Sequence, residues 1–487
     1  MTRIAVIGGG ISGLAAAFEL EERRRAGAEV DYVLYESSPR LGGVLRTDHI
    51  GGCIVEAGPD SFITEKPWAT DLCRAVGLGD QLIGSNDADR KTYILTHGRL
   101  VEMPDGLMFM VPTKILPTGL SPLFSWKTKL RMTQELFHPP RAVAGNENDH
   151  DESVAAFVER HYGSEMVDRL ADPLLSGVYG GGAAHLSVRA VLPRFAEMER
   201  THGSLGRAML AARKKMSSGP RKAAPPLFTS LKNGMQHLAE TVVSRLAPSA
   251  LLTNAPVLAI QREAESWVVS AGLQSDAFDS VIIALPAAAA AQVLRIASPE
   301  LSAELAAIQY SSSITVGLGY DREVRQSLPP GFGFLVPRSE GKRLLAATFV
   351  HNKFPHRAPD DRALLRCFFA GRNAEDVWAL SDEQIVGIVR NELQQILGPQ
   401  IHGLRDEPLF ARVYKWKAAM AQYSVGHLDR LDRIEGLRRR LPGVALAGNA
   451  YRGIGVPDCV RSGRDAAKQL AEAQLALCRS EENGHQT

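Results

Sequence analysis

The chain of 487 residues is short of several things at once. Its five cysteines, Cys53, Cys73, Cys367, Cys459 and Cys478, are scattered and never spaced C-x-x-C. That excludes a redox dithiol and predicts plain buried or surface thiols in a reducing compartment, with no metal or disulfide role. An excess of one charge is missing too: 56 Lys and Arg against 54 Asp and Glu leave a net +2, which gives no reason to expect a nucleic-acid partner. No run approaches the roughly 18 uninterrupted apolar residues that span a bilayer. The first residues enter a strand at once, with no charged n-region and apolar h-region ahead of it, so a cytoplasmic location is expected. Histidines such as His138, His185, His351 and His427 stand alone, outside any Ser/His/Asp grouping or metal-ligand spacing. The sequence offers no metal-ligand set and no grouping that marks a catalytic acid or base.

What is present is organised around the first 36 residues. Ile4 to Ile7 reads as a short buried strand, followed by Gly8, Gly10 and Gly13 at G-x-G-x-x-G spacing and an Ala/Leu-rich helix whose apolar face is Leu14, Ala17 and Leu20. Gly8 makes the tight turn, Gly10 admits a pyrophosphate to the backbone, and Gly13 lets the helix pack on the sheet. The phosphates then meet the free N–H groups of the helix N-terminus. Asp31 to Tyr35 reads as a second strand ending in Glu36, whose carboxylate accepts from both ribose hydroxyls and repels a 2′-phosphate; NADP is therefore disfavoured.

The remainder exceeds one ordinary core, and two or three domains are expected. After Glu36, Arg40 stands beside Gly42–Gly43 and ahead of Arg46, where a forked guanidinium can meet a second phosphate or a flavin carbonyl. Ala57 to Ser61 is another close-approach turn. Arg90, Lys91 and Arg99 put positive charge on a strand pair over 89–102. Met103 to Leu130 is apolar but broken by Pro112, Pro117 and Pro122, so it lines a pocket, touches a bilayer surface with Lys127, Lys129 and Arg131 as support, or is simply core. Lys214 to Pro226 reads as a linker. Strands at 279–285 and 444–447 return to the nucleotide-binding sheet, and an antiparallel sheet with a helix is inserted between them. The last glycine-rich turn, with Gly448, Gly453 and Gly455, leads into a helix from about Pro457 whose positive end suits charge developing on a reduced flavin.

These segments add up to a resemblance. GGGISGLAAA with Glu36, then PRLGGVLRT, GPDSF, DPLLSGVYGG, YKWKAAMAQYSVGH and GNAYRGIGVPDCVRSG resemble, in order and spacing, the FAD-dependent protoporphyrinogen and coproporphyrinogen oxidases of bacterial haem biosynthesis. The likeness covers essentially the whole chain. Its first and last motifs are shared with amine oxidases and phytoene desaturases; GPDSF, SGVYGG and KW-x-x-AM-x-QY narrow it. The resemblance implies an α/β fold of amine-oxidase-like architecture. It has a discontinuous Rossmann-like FAD-binding domain (1–85, 227–300 and 410–478), an inserted antiparallel-sheet substrate domain (86–110 and 301–409) and a mainly helical, membrane-contacting domain (111–226). It implies non-covalent FAD held by Gly8, Gly9, Gly10, Ile11, Ser12, Gly13, Glu36, Ser37, Arg40, Gly42, Gly43, Gly58, Pro59, Asp60, Ser61, Val257, Trp416, Gly448, Gly455, Val456 and Pro457.

Chemically, the resemblance implies removal of six electrons from a porphyrinogen in three flavin cycles, each passing a hydride from a ring carbon to flavin N5 while pyrrole nitrogens lose protons. Oxygen takes the electrons as peroxide. The flavin carries the hard step and the protein supplies position and field. Substrate propionates call for cations at the pocket mouth, Arg90 first, with Arg46 and Lys91 behind it. A peripheral protein handing product to the next haem enzyme fits the apolar 103–130 segment. Two rival classes remain open: a flavin amine oxidase or carotenoid desaturase, for which Trp416 with Tyr423 supplies part of an aromatic cage, and a non-catalytic binding protein like a GDP-dissociation inhibitor.

Overall fold

The computed structural model describes residues 1–108, 110–112, 115–139, 151–216 and 225–484. The expected linker at 214–226 therefore lies largely outside the described residues.

The first strand, Thr2–Ile7, sits in the middle of a five-stranded parallel sheet, ordered Leu251–Leu252, Val30–Tyr35, Thr2–Ile7, Ser280–Ile283 and Val444–Leu446. Its alternate residues serve two cores: Ile4 and Val6 face one cluster, Ala5 and Ile7 another. A strand buried on both faces needs an unbroken apolar run, which is why IAVI reads as it does. Strands from three distant stretches build this sheet, so the Rossmann-like domain is discontinuous.

The helix that follows, Ile11–Arg25, departs from the one-faced expectation. Every residue from Ile11 to Glu21 is buried, because the C-terminal helix Val456–Gly484 packs along it and shares with it the core on one face of the sheet. Small residues allow the approach: a Cβ on Gly463 would run into the Ser12 carbonyl. The two buried acids are compensated. Glu19 meets Arg464 at 2.8 Å and Arg23 at 3.2 Å, and Glu21 accepts from the Tyr32 hydroxyl at 3.0 Å and meets Arg24 at 2.9 Å.

A second sheet of seven strands carries the inserted domain, in the order Phe410–Ala421, Tyr310–Asp321, Arg362–Ala370, Ala346–Phe349, Gly333–Leu335, Thr92–Thr96 and Arg99–Glu102. Two expectations need correction here. Gly333–Leu335 runs parallel to Thr92–Thr96, so the sheet is mixed rather than antiparallel. Phe410–Ala421, assigned from sequence to the FAD-binding part, pairs along Tyr310–Asp321 from Tyr310↔Ala421 to Gly319↔Phe410. It is an edge strand of the second sheet, and its long ladder outweighs the chain continuity that suggested otherwise.

Helices from Ile115–Leu120 to Leu205–Met216 form the third body around Phe157, Val158, Tyr162, Met166 and Leu170. The Ser153 side chain caps Val154–Tyr162 by accepting from the Ala156 N–H at 3.1 Å. The apolar 103–130 segment divides: Met110, Val111, Leu123 and Phe124 are core, whereas Leu116, Leu120, Trp126 and Leu130 are exposed. No helix among the described residues is long and apolar enough to cross a membrane.

Candidate active site

The turn between the first strand and helix has the shape its glycines demand. Gly8 has φ +108°, and a Cβ there would meet the Ala284 carbonyl oxygen at 2.5 Å; one on Gly13 would run into the Gly8 carbonyl. Over Gly10 the space is open, with nothing within 4 Å of an added Cβ. No side chain caps the helix, and no hydrogen bond among the described residues uses the N–H groups of Ile11, Ser12 or Gly13. An open space beside three free amides at a helix start is a fitting cradle for a pyrophosphate.

Glu36 closes the same corner. Its carboxylate accepts from Gly9 N–H at 2.7 Å and Ser38 N–H at 2.8 Å, and the Ser37 hydroxyl lies 3.3 Å away. Ala255 N–H donates to the Glu36 carbonyl at 2.9 Å, which brings the backbone leading to Val257 alongside. Arg40 behaves differently from the expectation of a phosphate or flavin-carbonyl contact. Its guanidinium donates to the carbonyls of Leu41 (3.0 Å), Leu45 (2.9 Å) and Gly43. It clasps its own loop, holding Gly42–Gly43 against the first glycine turn, where Gly42 N–H donates to Gly9 at 2.8 Å.

Below this lies a cavity of about 540 Å³, within the range that holds a cofactor ring and a sizeable ligand. Gly58, Pro59, Asp60, Ser61, Trp416, Gly455, Val456 and Pro457 all line it, as do Tyr179, Met420 and Asn449. The Gly58–Ser61 stretch is tied from behind. Trp416 Nε1–H donates to Ala57 carbonyl at 2.8 Å, Arg366 to Gly58 carbonyl, and the Ser230 hydroxyl to Asp60 carbonyl at 2.6 Å. With those carbonyls taken, no hydrogen bond among the described residues uses the N–H groups of Gly58, Asp60 or Ser61. A loop with committed carbonyls and free amides suits a heteroaromatic ring bearing carbonyl oxygens, as flavin does.

The far wall is the turn before the last helix. Gly448 has φ +131° and donates to the Ser462 hydroxyl at 3.1 Å. The Tyr423 hydroxyl spans that turn, accepting from Gly453 N–H at 2.8 Å and donating to Asn449 carbonyl at 2.9 Å. Its ring stacks on His427 at 4.1 Å. Tyr423 is thus spent on the turn and does not line the cavity, so the aromatic pair it would make with Trp416 in an amine oxidase is not formed.

Cations tell the other part of the story. Arg90, Arg46 and Lys91, expected at the pocket mouth, are not among the lining residues. Arg90 lies half-exposed, 3.9 Å from Asp87; Lys91 pairs with Glu102 at 3.2 Å; Arg46 lies 3.6 Å from Asp48 over the Tyr414 ring. The charge-rich strand pair turns outward at these positions. Lys66, Lys353 and Arg366 line the cavity instead. Lys66 Nζ is 2.6 Å from Asp458, in the first turn of the last helix. Burial works to raise the Asp60 carboxyl, but Lys353 and Arg366 outweigh it and hold it well below the usual carboxylate range. Sequence reasoning missed Lys353, in HNKFPHRAP, because no motif marks it. Among the described residues no cluster of His, Cys, Asp or Glu could hold a metal. Cys53, Cys73, Cys367 and Cys459 are buried and unpaired.

Residues 11–471 match the family described as flavin containing amine oxidoreductase. The chain belongs to that family. This flavin oxidoreductase uses FAD, and its nucleotide cradle, Glu36 and cavity have the features that cofactor requires. It is 33% identical to the coproporphyrinogen III oxidase of Bacillus subtilis (strain 168), over 95% of this chain and 96% of the other. It is 32% identical to that of Propionibacterium freudenreichii, over 99% and 93%. It is 28% identical to the mitochondrial protoporphyrinogen oxidase of Nicotiana tabacum, over 96% and 94%. These relatives put it in the porphyrinogen oxidase branch of the family. A crystal structure from Exiguobacterium sp. 255-15, described as a candidate protoporphyrinogen oxidase, superposes with TM-score 0.84 at 30% identity, covering 97% of this chain and 99% of the other. Cyclohexylamine oxidase from Brevibacterium oxydans IH-35A, at TM-score 0.68 and 20% identity over 97% and 99%, shares the fold.

Proposed function

We propose that this flavoenzyme oxidises coproporphyrinogen III, in preference to protoporphyrinogen IX, to the porphyrin in haem biosynthesis, with dioxygen as acceptor. The single observation that carries the choice is the end-to-end likeness to coproporphyrinogen III oxidases at 33% identity. The balance is one porphyrinogen and three dioxygen giving one porphyrin and three hydrogen peroxide. Bound FAD supplies the two-electron acceptor for each of the three cycles.

The chain's own residues position and shield. Glu36 and the amides of Ile11, Ser12 and Gly13 hold the nucleotide end. The amides of Gly58, Asp60 and Ser61 would hold the ring, on a loop kept in place by Trp416, Arg366 and Ser230 through its carbonyls. Tyr423 fixes the turn ahead of Gly455, Val456 and Pro457. Tyr179 and Met420 present an apolar cavity wall that excludes water from the tetrapyrrole.

Porphyrin fluorescence formed aerobically from coproporphyrinogen III and protoporphyrinogen IX in parallel, with FAD-loaded protein, tests this reading. Faster turnover of coproporphyrinogen supports it. Turnover of neither, with FAD bound and amine-dependent peroxide formed instead, hands the site to amine oxidation.

Peripheral membrane contact, with hand-off of the product to the next haem enzyme, belongs to the same reading. Leu116, Leu120, Trp126 and Leu130 are exposed on two helices successive in the chain and Phe137 in the turn after the second, and Lys129 lies over the Trp126 ring at 4.8 Å. Aromatic and aliphatic tips beside Lys127 and Arg131 suit an anionic lipid surface. Co-sedimentation with anionic liposomes that Trp126→Ser and Leu120→Ser abolish supports the contact; no co-sedimentation removes it.

A further inference from the structure

Behind the Gly58–Ser61 stretch, partly on the cavity wall and partly beneath it, stands a cluster with more positive than negative charge. Glu56 and Asp60 stand there with Lys353, Arg357 and Arg366. Glu56 is fully committed, accepting from Arg357 Nη1 at 2.6 Å, the Thr47 hydroxyl at 2.7 Å and Met235 N–H at 2.8 Å. Asp60 alone is left for two cations, with Lys353 Nζ at 3.0 Å and Arg366 Nη1 at 3.7 Å. Three cations against two carboxylates leave one positive charge in surplus, on side chains that are 11% exposed at Lys353 and 9% at Arg366. A surplus positive charge on side chains so little exposed favours an anion beside it.

The lining of the cavity shows where an anion can approach these cations. Arg366 Nη2 is spent on the Gly58 carbonyl, but its buried Nε has no acceptor. Both Arg366 and Lys353 line the cavity. The Lys353 ammonium sits over the Phe228 ring at 4.6 Å and the Phe354 ring at 5.1 Å, an apolar seat where attraction to a negative group is screened less than in water.

Resting on the porphyrinogen reading of the cavity, we propose that Lys353 and Arg366 form the receptor for one carboxylate side chain of the substrate. They take the place assigned from sequence to Arg90, Arg46 and Lys91. Asp60 stays ionised and holds the two cations in register, so the arriving carboxylate completes a square of two cations and two anions. A tetra-acid tetrapyrrole offers four carboxylates that can dock here against two on a di-acid, a statistical advantage of about twofold for coproporphyrinogen.

The test uses FAD-loaded wild type, Lys353→Met and Lys353→Arg, with turnover of coproporphyrinogen III and fluorescence titrations of coproporphyrin III and its tetramethyl ester. The ester has the same ring and no carboxylate. Lys353→Met is expected to raise KM and to weaken the acid about tenfold or more, to leave the ester unchanged, and to be rescued largely by Lys353→Arg. Equal losses for acid and ester, or no loss for either, overturn the receptor. The two readings fail separately. A wild type that turns over porphyrinogen while Lys353→Met is indifferent sinks the receptor alone. A wild type without turnover that binds the acid through Lys353 upholds the receptor and sinks the reaction.

Discussion

The indole Nε1 of Trp416 donates to the carbonyl of Ala57 at 2.8 Å, joining the edge strand of the second sheet to the loop that opens the cavity in the first domain. This bond crosses the domain interface and helps to aim the amides of Gly58, Asp60 and Ser61.

Trp416→Phe keeps a ring in the wall and removes only that bond. A neutral hydrogen bond contributes about 0.5–1.5 kcal/mol, so FAD affinity should fall about two- to tenfold while the fold stays intact. Equilibrium dialysis against FAD, with circular dichroism as the control, measures it. Unchanged affinity would show that the loop is held without Trp416.

Glu36→Ala removes the acceptor for the ribose hydroxyls and also frees the N–H groups of Gly9 and Ser38, now bonded at 2.7 and 2.8 Å. Charge-assisted bonds are the stronger kind, and a loss of about tenfold or more in FAD affinity is expected. The same dialysis reads it.

The motifs at the chain's beginning were legible because their chemistry is local. A glycine whose added Cβ would strike the carbonyl of a near neighbour in the chain, as Gly13 would strike Gly8, writes its requirement into nearby positions. Lys353 and Asp60 could not be read together, since they are 293 residues apart and meet only when the second sheet folds over the first. Arg40 also has a role that sequence does not show: a guanidinium beside glycines is visible there, but not that the carbonyls of Leu41, Gly43 and Leu45 in its own loop accept from it. The strand Phe410–Ala421 misled for a similar reason. Its sheet is decided by pairing with Tyr310–Asp321, and pairing partners leave no mark within either strand.

Arg357→Met strips Glu56 of its partner at 2.6 Å in a pair that is 1% and 3% exposed. Breaking a buried ion pair costs about 3–5 kcal/mol, and urea unfolding should show a loss of that size. Adding Glu56→Gln should recover part of it, because the stranded charge is then gone; no recovery would mean that packing, not charge, sets the cost.

Stability should depend on pH through the helical body. His161 is buried between Glu135 at 3.2 Å and Glu199 at 3.3 Å. Burial alone would lower it, but hydrogen bonds to the two carboxylates outweigh burial and hold it above its ordinary 6.5. Burial pushes Glu199 up, yet hydrogen bonds from His161 and Arg160 bring it down to about 2. The folded state therefore keeps the His161 proton longer than the unfolded chain does. That contribution is full below about pH 6.5 and is lost as pH rises through the raised value. The Glu199 contribution is full above about pH 4.5 and is lost as pH falls towards 2. The Tm should peak between pH 4.5 and 6.5 and fall on both sides, and His161→Gln should flatten the alkaline limb. An alkaline limb unchanged in that variant would place the titrating group elsewhere.

The most direct measurement is to mix FAD-loaded protein with coproporphyrinogen III without oxygen and follow the flavin's visible absorbance. The account predicts bleaching, and, when air is admitted, recovery of the yellow colour with porphyrin left in solution. A flavin that stays oxidised at saturating porphyrinogen would contradict it.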